Sequence, residues 1–402
     1  MGQSVPQHRR MSIASMNNKT GMRTKVIVLF GTRPEVIKLA PVIQHLEMHK
    51  EVFETVNVTS AQHTDLLYPF IRLFDLRIDY DLRVMEANQT PSHVCSRVLS
   101  SLDPVLCQEK PDLILVQGDT TTAMAGALAG FHRRIPVGHV EAGLRSGNRW
   151  SPYPEEMNRL LITRLATYHF AATQQNLETL LSEGVSKDVA FVTGNPVVDS
   201  LQNILRKSSA SAIVEEVLAA TKGLKRVVVT AHRRENLGAQ MADYFKVLRC
   251  FVERHEDAAM IFPVHPNPEV VAIASRMLSR HPRIHLMQPM DYQDFVILLS
   301  AAWLIVSDSG GIQEEAPTLG KPLLVTRDNT ERREAIESGS ARLVGAHPER
   351  LADLLEEVYQ DGVWAECVAR LENPFGRGDS GKRIVHILAE LSGAQAMNGC
   401  PA

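Results

Sequence analysis

Cysteine is scarce in this chain: five among 402 residues, at positions 95, 107, 250, 367 and 400. They are widely spaced and form no C-x-x-C pair, so the sequence suggests neither a disulfide framework nor a zinc site. A reducing cytoplasm is the expected compartment. Net charge is also small, with 43 Lys and Arg against 46 Asp and Glu. No overall basic field therefore points to nucleic acid or to an anionic membrane surface. No apolar run approaches the ~20 residues of a membrane helix. Residues 1–21 lack the apolar core of a signal peptide and read as a disordered leader, with Met11, Met16 and Met22 as later candidate starts. No low-complexity tract and no repeat beyond strand–helix alternation is visible. No group of residues has metal-ligand spacing, so the expectation is metal-independent chemistry without a cofactor.

What is present is an ordinary globular composition, 44% hydrophobic and 22% charged. Short apolar runs alternate with helical patterns. Strands are expected at Lys25–Phe30, Glu54–Thr59, Leu113–Gln117, Val137–Val140, Tyr168–Ala172 and Val189–Thr193. A second series is expected at Arg226–Thr230, Ala259–Val264, Ile284–Met287, Leu304–Ser307, Pro322–Thr326 and Ala341–Leu343. This alternation predicts an α/β protein with parallel sheets covered on both faces. One sheet of about twelve strands would be unusually large, so two doubly wound, Rossmann-like domains fit better. The expected division is a leader at 1–21, a first domain at 22–200, a second at 201–372, a C-terminal helical segment at 373–391 and a tail at 392–402.

In open parallel sheets, ligands bind beyond the carboxyl ends of the strands. The residues that follow the predicted strands are unusually polar. The stretch Ser307-Asp308-Ser309-Gly310-Gly311-Ile312-Gln313-Glu314-Glu315 reads as strand, glycine turn and helix, a form that suits a phosphate. Glu315, about one turn into that helix, could accept hydrogen bonds from sugar hydroxyls. Gly31-Thr32-Arg33-Pro34-Glu35-Val36-Ile37-Lys38 places Arg33 and Lys38 near the positive end of a helix dipole, which makes sense if an anion sits there. Asp119, in Gly118-Asp119-Thr120, is either a helix cap or a functional carboxylate. Glu141, beside Gly143, is either functional or a salt-bridge partner of Arg145. Glu155 and Glu156 follow Pro154 at a helix start, with Arg159 four residues beyond Glu155. His232, Arg233 and Arg234 end another strand and suit a diphosphate. His265 and the Gln62-His63 pair end two more. Together these predict one ligand in a cleft between the two domains, with carboxylates from the first and phosphate binders from the second.

The motifs GTRPEVIK (31–38), QGDT (117–120), HVEAGLRSG (139–147), PEEMNR (154–159), AHRREN (231–236) and SDSGGIQEE (307–315) resemble, in this order, those of the bacterial non-hydrolysing UDP-N-acetylglucosamine 2-epimerases. The resemblance covers about residues 22–391. It implies a GT-B-like pair of Rossmann-like domains whose C-terminal helix crosses back to the first, and a homodimer. It implies reversible conversion of UDP-N-acetylglucosamine to UDP-N-acetylmannosamine, supplying surface polysaccharide synthesis. On this resemblance Asp119, Glu141 and Glu155 surround the sugar, and Arg33, Lys38, Arg159 and His232 lie near sugar or diphosphate. Ser309, Gly310 and Gly311 would hold phosphate, Glu315 the ribose, and Phe295 would pack near uracil. Gln62, His63, Arg233 or Arg234, and His265 match the place where some members bind a second substrate molecule as activator. Thr64 stands there where the bacterial pattern often has arginine, and Arg333 where the family usually has proline.

The C2 proton of such a sugar is not next to a carbonyl, so simple deprotonation would be very slow. The scheme the family implies starts with cleavage of the C1–O bond to UDP, which acidifies the C2 proton. UDP leaves, a glycal forms, and re-addition with protonation on the other face gives the epimer. Several carboxylates near one sugar can serve both faces. Cations and N–H groups can stabilise the departing diphosphate. Three rival readings use the same pocket: a GT-B-type glycosyltransferase, a hydrolysing epimerase and a non-catalytic UDP-sugar sensor.

Overall fold

The computed structural model describes residues 23–62, 64–86, 89–231, 238–345 and 347–393. The chain divides into two compact units, residues 1–199 with 378–402, and residues 200–377. The first contains seven strands: β1 (Thr24–Phe30), β2 (Phe53–Thr59), β3 (Tyr80–Asp81), β4 (Leu113–Gln117), β5 (Val137–Ala142), β6 (Tyr168–Ala171) and β7 (Ala190–Val192). They form one sheet in the order β3-β2-β1-β4-β5-β6-β7, and every pairing is parallel. The second unit contains β8 (Lys225–Thr230), β9 (Ala258–Pro263), β10 (Ile284–Met287), β11 (Leu304–Ser307), β12 (Leu323–Val325) and β13 (Ala341–Leu343). Their order is β10-β9-β8-β11-β12-β13, again all parallel.

Both units are Rossmann-like. In each, the chain runs outward from the first strand to one edge, then returns to build the other side. The order reverses between β1 and β4 in the first unit and between β8 and β11 in the second. At such a switch point the neighbouring connections leave in opposite directions and open a crevice at the strand ends. The β-branched and leucine-rich strands are buried on both faces, with Val26 to Phe30 and Leu113 to Val116 fully inaccessible. The two-residue β3 at the sheet edge was not expected from the sequence, being too short to show periodicity.

The helix Arg33–Met48 is buried over most of its length, because the C-terminal helix Ser380–Leu391 packs on its outer side. Gly381 allows this crossing, since a Cβ there would lie 2.8 Å from the Pro41 carbonyl carbon. Asp199, 4% exposed, accepts hydrogen bonds from Ser380 N–H at 3.2 Å and Gly381 N–H at 3.0 Å. A carboxylate at a helix N-terminus is also favoured by the helix dipole. Burial nevertheless outweighs these bonds and pushes the carboxyl up to about 6 from its ordinary 3.8. A carboxyl raised in this way contributes most to stability at low pH and loses that contribution as pH rises from about 4 to 6. We expect Asp199→Ala to cost about 1–3 kcal/mol. The loss should be larger at pH 5 than at pH 8, as read from urea midpoints at the two pH values. An equal loss at both would disprove the assignment.

Candidate active site

In the first unit the candidate side chains lie at and just beyond the carboxyl ends of β1, β4 and β5. Glu141 occupies the last turn of β5 in an unusual backbone state. Its φ is +63°, and the pairing of β5 with β6 slips between Val140 and Ala142. A bulge at a strand end re-aims a side chain, and a non-glycine residue at positive φ persists only where its surroundings enforce it. The Glu141 side chain, 8% exposed, pairs with the Lys38 ammonium. It also accepts from Gln117 Nε2 and, at 3.1 Å, from Asn195 Nδ2. Arg145 is not its partner: that guanidinium is bonded to Glu183 at 2.8 Å and to Thr163. Lys38 is itself buried, so the anion near this helix start is a carboxylate of the protein.

Asp119 lies on the turn after β4. It does not cap the helix that follows, because Thr120 does so by accepting from Ala123 N–H at 3.0 Å. Asp119 Oδ2 instead accepts from Arg159 Nε at 2.7 Å. Arg159, 4% exposed, also donates to Glu156 at 2.8 Å. Glu156 in turn accepts from the N–H groups of Ser146 and Gly147 at 3.0 and 3.1 Å. Burial opposes its ionisation, but those two bonds and the Arg159 charge prevail and hold its carboxyl below the usual value. Asn158 fixes the Asp119 carbonyl at 2.8 Å. A Cβ at Gly118, the residue before Asp119, would lie 3.4 Å from Glu141 Oε2, so Glu141 reaches the turn that carries Asp119. Asp119, on the turn after β4, and Glu141, in β5, each have their own cation, Arg159 and Lys38. Glu155 is half-buried in the first turn of the helix Glu155–Leu165.

His139, on β5, points beneath this turn and contacts the Gly118 carbonyl through Nε2 at 2.7 Å. Burial lowers its pKa to about 4, so the ring is neutral near pH 7 and carries its hydrogen on Nε2. Arg33 is exposed, with its guanidinium over the Phe70 ring at 5.8 Å. Gln62 accepts from Thr122 Oγ1 at 2.8 Å. Gly31 is required here, because a Cβ would fall 2.0 Å from Ser60 Oγ and 2.6 Å from Thr122 Oγ1.

In the second unit the Ser309-Gly310-Gly311 turn follows β11, with Gly311 capping the helix Ile312–Thr318. Ser307 Oγ bonds Thr230 Oγ1 at 2.6 Å, linking the ends of β8 and β11, and accepts the Ser309 N–H at 2.9 Å. Ser309 therefore has its hydroxyl, not its N–H, to offer a ligand. Gly310 lets Arg332 approach, since a Cβ there would lie 3.0 Å from Nη1. Arg332 is bonded to Glu314 at 2.8 Å and to Glu331. Glu315 is 7% exposed and accepts from the Tyr292 hydroxyl at 2.8 Å. Tyr292 and Phe295 lie one turn apart on the helix Tyr292–Ser300, and Phe295 is half-buried. His265 is exposed beyond β9 and accepts from Asn267 N–H at 3.2 Å. His63, His232, Arg233 and Arg234 lie outside the described residues. Among the described residues no cluster of three or more His, Cys, Asp or Glu could hold a metal ion, and no helix is long and apolar enough to cross a membrane.

Residues 45–389 match the family model described as UDP-N-acetylglucosamine 2-epimerase. The chain belongs to the UDP-N-acetylglucosamine 2-epimerase family. It is an enzyme of the non-hydrolysing branch, an isomerase. The family enzyme of Escherichia coli K12 is 42% identical over 369 residues, covering 90% of this chain and 98% of its own. The fold matches the crystal structure of the Neisseria meningitidis enzyme bound to UDP-N-acetylglucosamine. That match has a TM-score of 0.84 and 41% identity, covering 91% of this chain and all of the other. The Methanocaldococcus jannaschii enzyme in complex with UDP-N-acetylglucosamine and UDP matches at TM-score 0.76 and 34% identity, over 91% of this chain and 100% of its own.

Sequence reasoning passed over Glu35, Gln117, His139, Asn195 and Tyr292 as site residues. Each acts on another side chain or on a turn, and such contacts leave no local pattern. Only Glu35 carried a signal, the Thr-x-x-Glu spacing of a capping box, which reads as purely structural.

Proposed function

We propose that this chain interconverts UDP-N-acetylglucosamine and UDP-N-acetylmannosamine through a glycal, with Asp119 and Glu141 serving the two faces of C2. The observation that carries this reading is that Glu141 Oε2 reaches the Gly118-Asp119 turn while the two carboxylates pair with separate cations. In the forward direction the C1–O bond to UDP breaks and one carboxylate takes the C2 proton. UDP departs with the bonding pair and the C1–C2 double bond forms. UDP then adds back to C1 while the other carboxyl group delivers a proton to the opposite face of C2. Glu155, at the start of the next helix, tunes or shares this role. Neighbouring acid and base groups held by different partners suit such a division of labour.

Ser309, Gly310 and Gly311 hold the diphosphate, with Arg33, Lys38, Arg159 and His232 near sugar or diphosphate. Glu315, aligned by Tyr292, holds the ribose, and Phe295 packs near the uracil. Gln62, His63, Arg233, Arg234 and His265 form a candidate site for a second, activating substrate molecule. No metal or cofactor takes part. The enzyme works as a homodimer in the cytoplasm, where it supplies surface polysaccharide synthesis. The free state of Cys95, Cys107, Cys250 and Cys367 supports a reducing compartment.

Incubation with UDP-N-acetylglucosamine in heavy water, followed by NMR, tests the reaction. The expected result is UDP-N-acetylmannosamine with deuterium at C2 and little free sugar. Accumulation of free N-acetylmannosamine would show hydrolysis instead. Unchanged substrate would point to a transferase or a sensor.

A further inference from the structure

Glu35 is a fully buried carboxylate, with 0% exposure. It takes four donors. Oε2 accepts from Gly31 N–H at 3.0 Å, Thr32 N–H at 2.8 Å and Thr32 Oγ1 at 2.8 Å. Oε1 accepts from Thr120 Oγ1 at 2.8 Å. Capping the helix Arg33–Met48 accounts for the bonds to Thr32. It does not account for the bond to Thr120, which is 85 residues away and belongs to the turn after β4. The two turns so joined flank the switch point between β1 and β4. One carries Arg33 and leads to Lys38, the partner of Glu141. The other carries Asp119.

We propose that Glu35 is a positioning residue, whose carboxylate ties the turn after β1 to the turn after β4 and thereby places Asp119 relative to the helix that carries Lys38, the partner of Glu141. The bond passes through Thr120, the neighbour of Asp119. Thr120 also accepts from Ala123 N–H, so its hydroxyl hydrogen is directed at Glu35 while its lone pair caps the helix. Four donors suit an ionised carboxylate. A protonated one must donate, and the network must rearrange. Burial pushes Glu35 up to about 7, against the opposing hydrogen bonds from Thr120, Thr32 and Gly31. Other charged groups on the flanking turns are committed elsewhere: Asp119 to Arg159, Lys38 to Glu141 and Arg33 over Phe70. The four-donor arrangement is accordingly complete above about pH 7 and loosens as pH falls below it.

The inference rests on the assignment of Asp119 as a proton-transfer group, and the test separates the two. Glu35→Gln keeps one accepting oxygen and replaces the other by an –NH2 that cannot accept, so either the Thr120 donor or the Gly31 and Thr32 donors go unmet. A misplacement of about 1 Å costs a reaction about 10²-fold. Glu35→Gln should therefore lower kcat about 10- to 100-fold at pH 8. KM should change much less, UDP affinity by calorimetry should stay at the wild-type value, and thermal melting should show a folded protein. Wild-type kcat should fall as pH drops below about 7, and Glu35→Gln should lack that component. Thr120→Val should lower kcat similarly, and Thr120→Ser should restore most of what Thr120→Val loses. If Glu35→Gln does not fold, the Thr120 pair carries the test alone. Turnover of Glu35→Gln within twofold of wild type, while Asp119→Asn is inactive, would overturn the role of Glu35 and leave the site reading standing. Parallel loss of kcat, UDP affinity and folded structure in both Glu35→Gln and Thr120→Val would mean a merely structural carboxylate, and would also overturn it. Full activity in Asp119→Asn would overturn both.

Discussion

Glu141→Gln is expected to lower turnover by about 10²- to 10⁴-fold, the usual contribution of a positioned acid or base. The amide keeps the size of the side chain but cannot take up or release the C2 proton. The substitution also leaves the Lys38 ammonium, buried at 8% exposure, without its carboxylate, so some loss of stability should accompany the loss of rate. The two effects separate in measurement. Thermal melting reports the first. Heavy-water exchange at C2, which needs no net epimerisation, reports the second. UDP affinity should be largely retained, because Ser309, Gly310, Gly311 and Glu315, proposed to hold the diphosphate and ribose, lie in the other unit. Exchange and epimerisation both within tenfold of wild type, in a protein that melts normally, would rule out Glu141 as a proton-transfer group. The backbone at Glu141 gives the prediction its physical basis. A strand residue at φ +63° is unfavourable for any side chain with a Cβ. The bulge there brings the carboxylate to Lys38, Gln117 and Asn195.

Arg159→Met should be among the most destabilising single substitutions in the first unit. Arg159 joins Asp119 and Glu156, and Glu156 is 2% exposed. Removing the cation leaves a buried carboxylate with only its backbone donors, and breaking one partner of a buried pair costs about 3–5 kcal/mol. The sign of the pH dependence follows from Glu156, whose carboxyl is held below its usual value in the folded protein. Such a group stabilises the fold above its unfolded pKa and loses that contribution as pH falls through the folded value. The deficit of Arg159→Met should thus be largest near neutral pH and shrink toward acid. Urea unfolding at pH 7 and pH 4 checks this, and a deficit that grows toward acid would refute it. Turnover should fall as well, since Asp119 loses the group that orients it. Arg159→Lys should recover little of either, because one ammonium cannot reproduce a planar fork that serves two carboxylates.

Several alternatives that the sequence left open were decided by three-dimensional neighbours. Asp119 was equally readable as a helix cap, and the cap proved to be Thr120. Glu141 could have been the partner of Arg145, four residues away. Arg145 instead reaches Glu183, and Glu141 pairs with Lys38, separated from it by 103 residues. The phosphate turn was legible as strand, glycines and helix, but the use of the Ser309 N–H by Ser307 was not. Neither was the bond from Thr120 that draws Glu35 into the site.

What the sequence determined by itself is the alternation of apolar strands with helices and the kinds of residue at the strand ends. Twelve strands were expected where thirteen occur among the described residues, because strand propensity and burial on both faces leave a local mark. The motifs, each a few contiguous residues, likewise declared the family. What only the tertiary structure decided is which of those strand ends meet. That depends on strand order, 3-2-1-4-5-6-7 in the first unit, which local pattern does not encode. The order puts β1 beside β4 at the switch point. With β5 on the other side of β4, Glu141 reaches the turn that carries Asp119, and Glu35 joins the turn after β1 to that same turn.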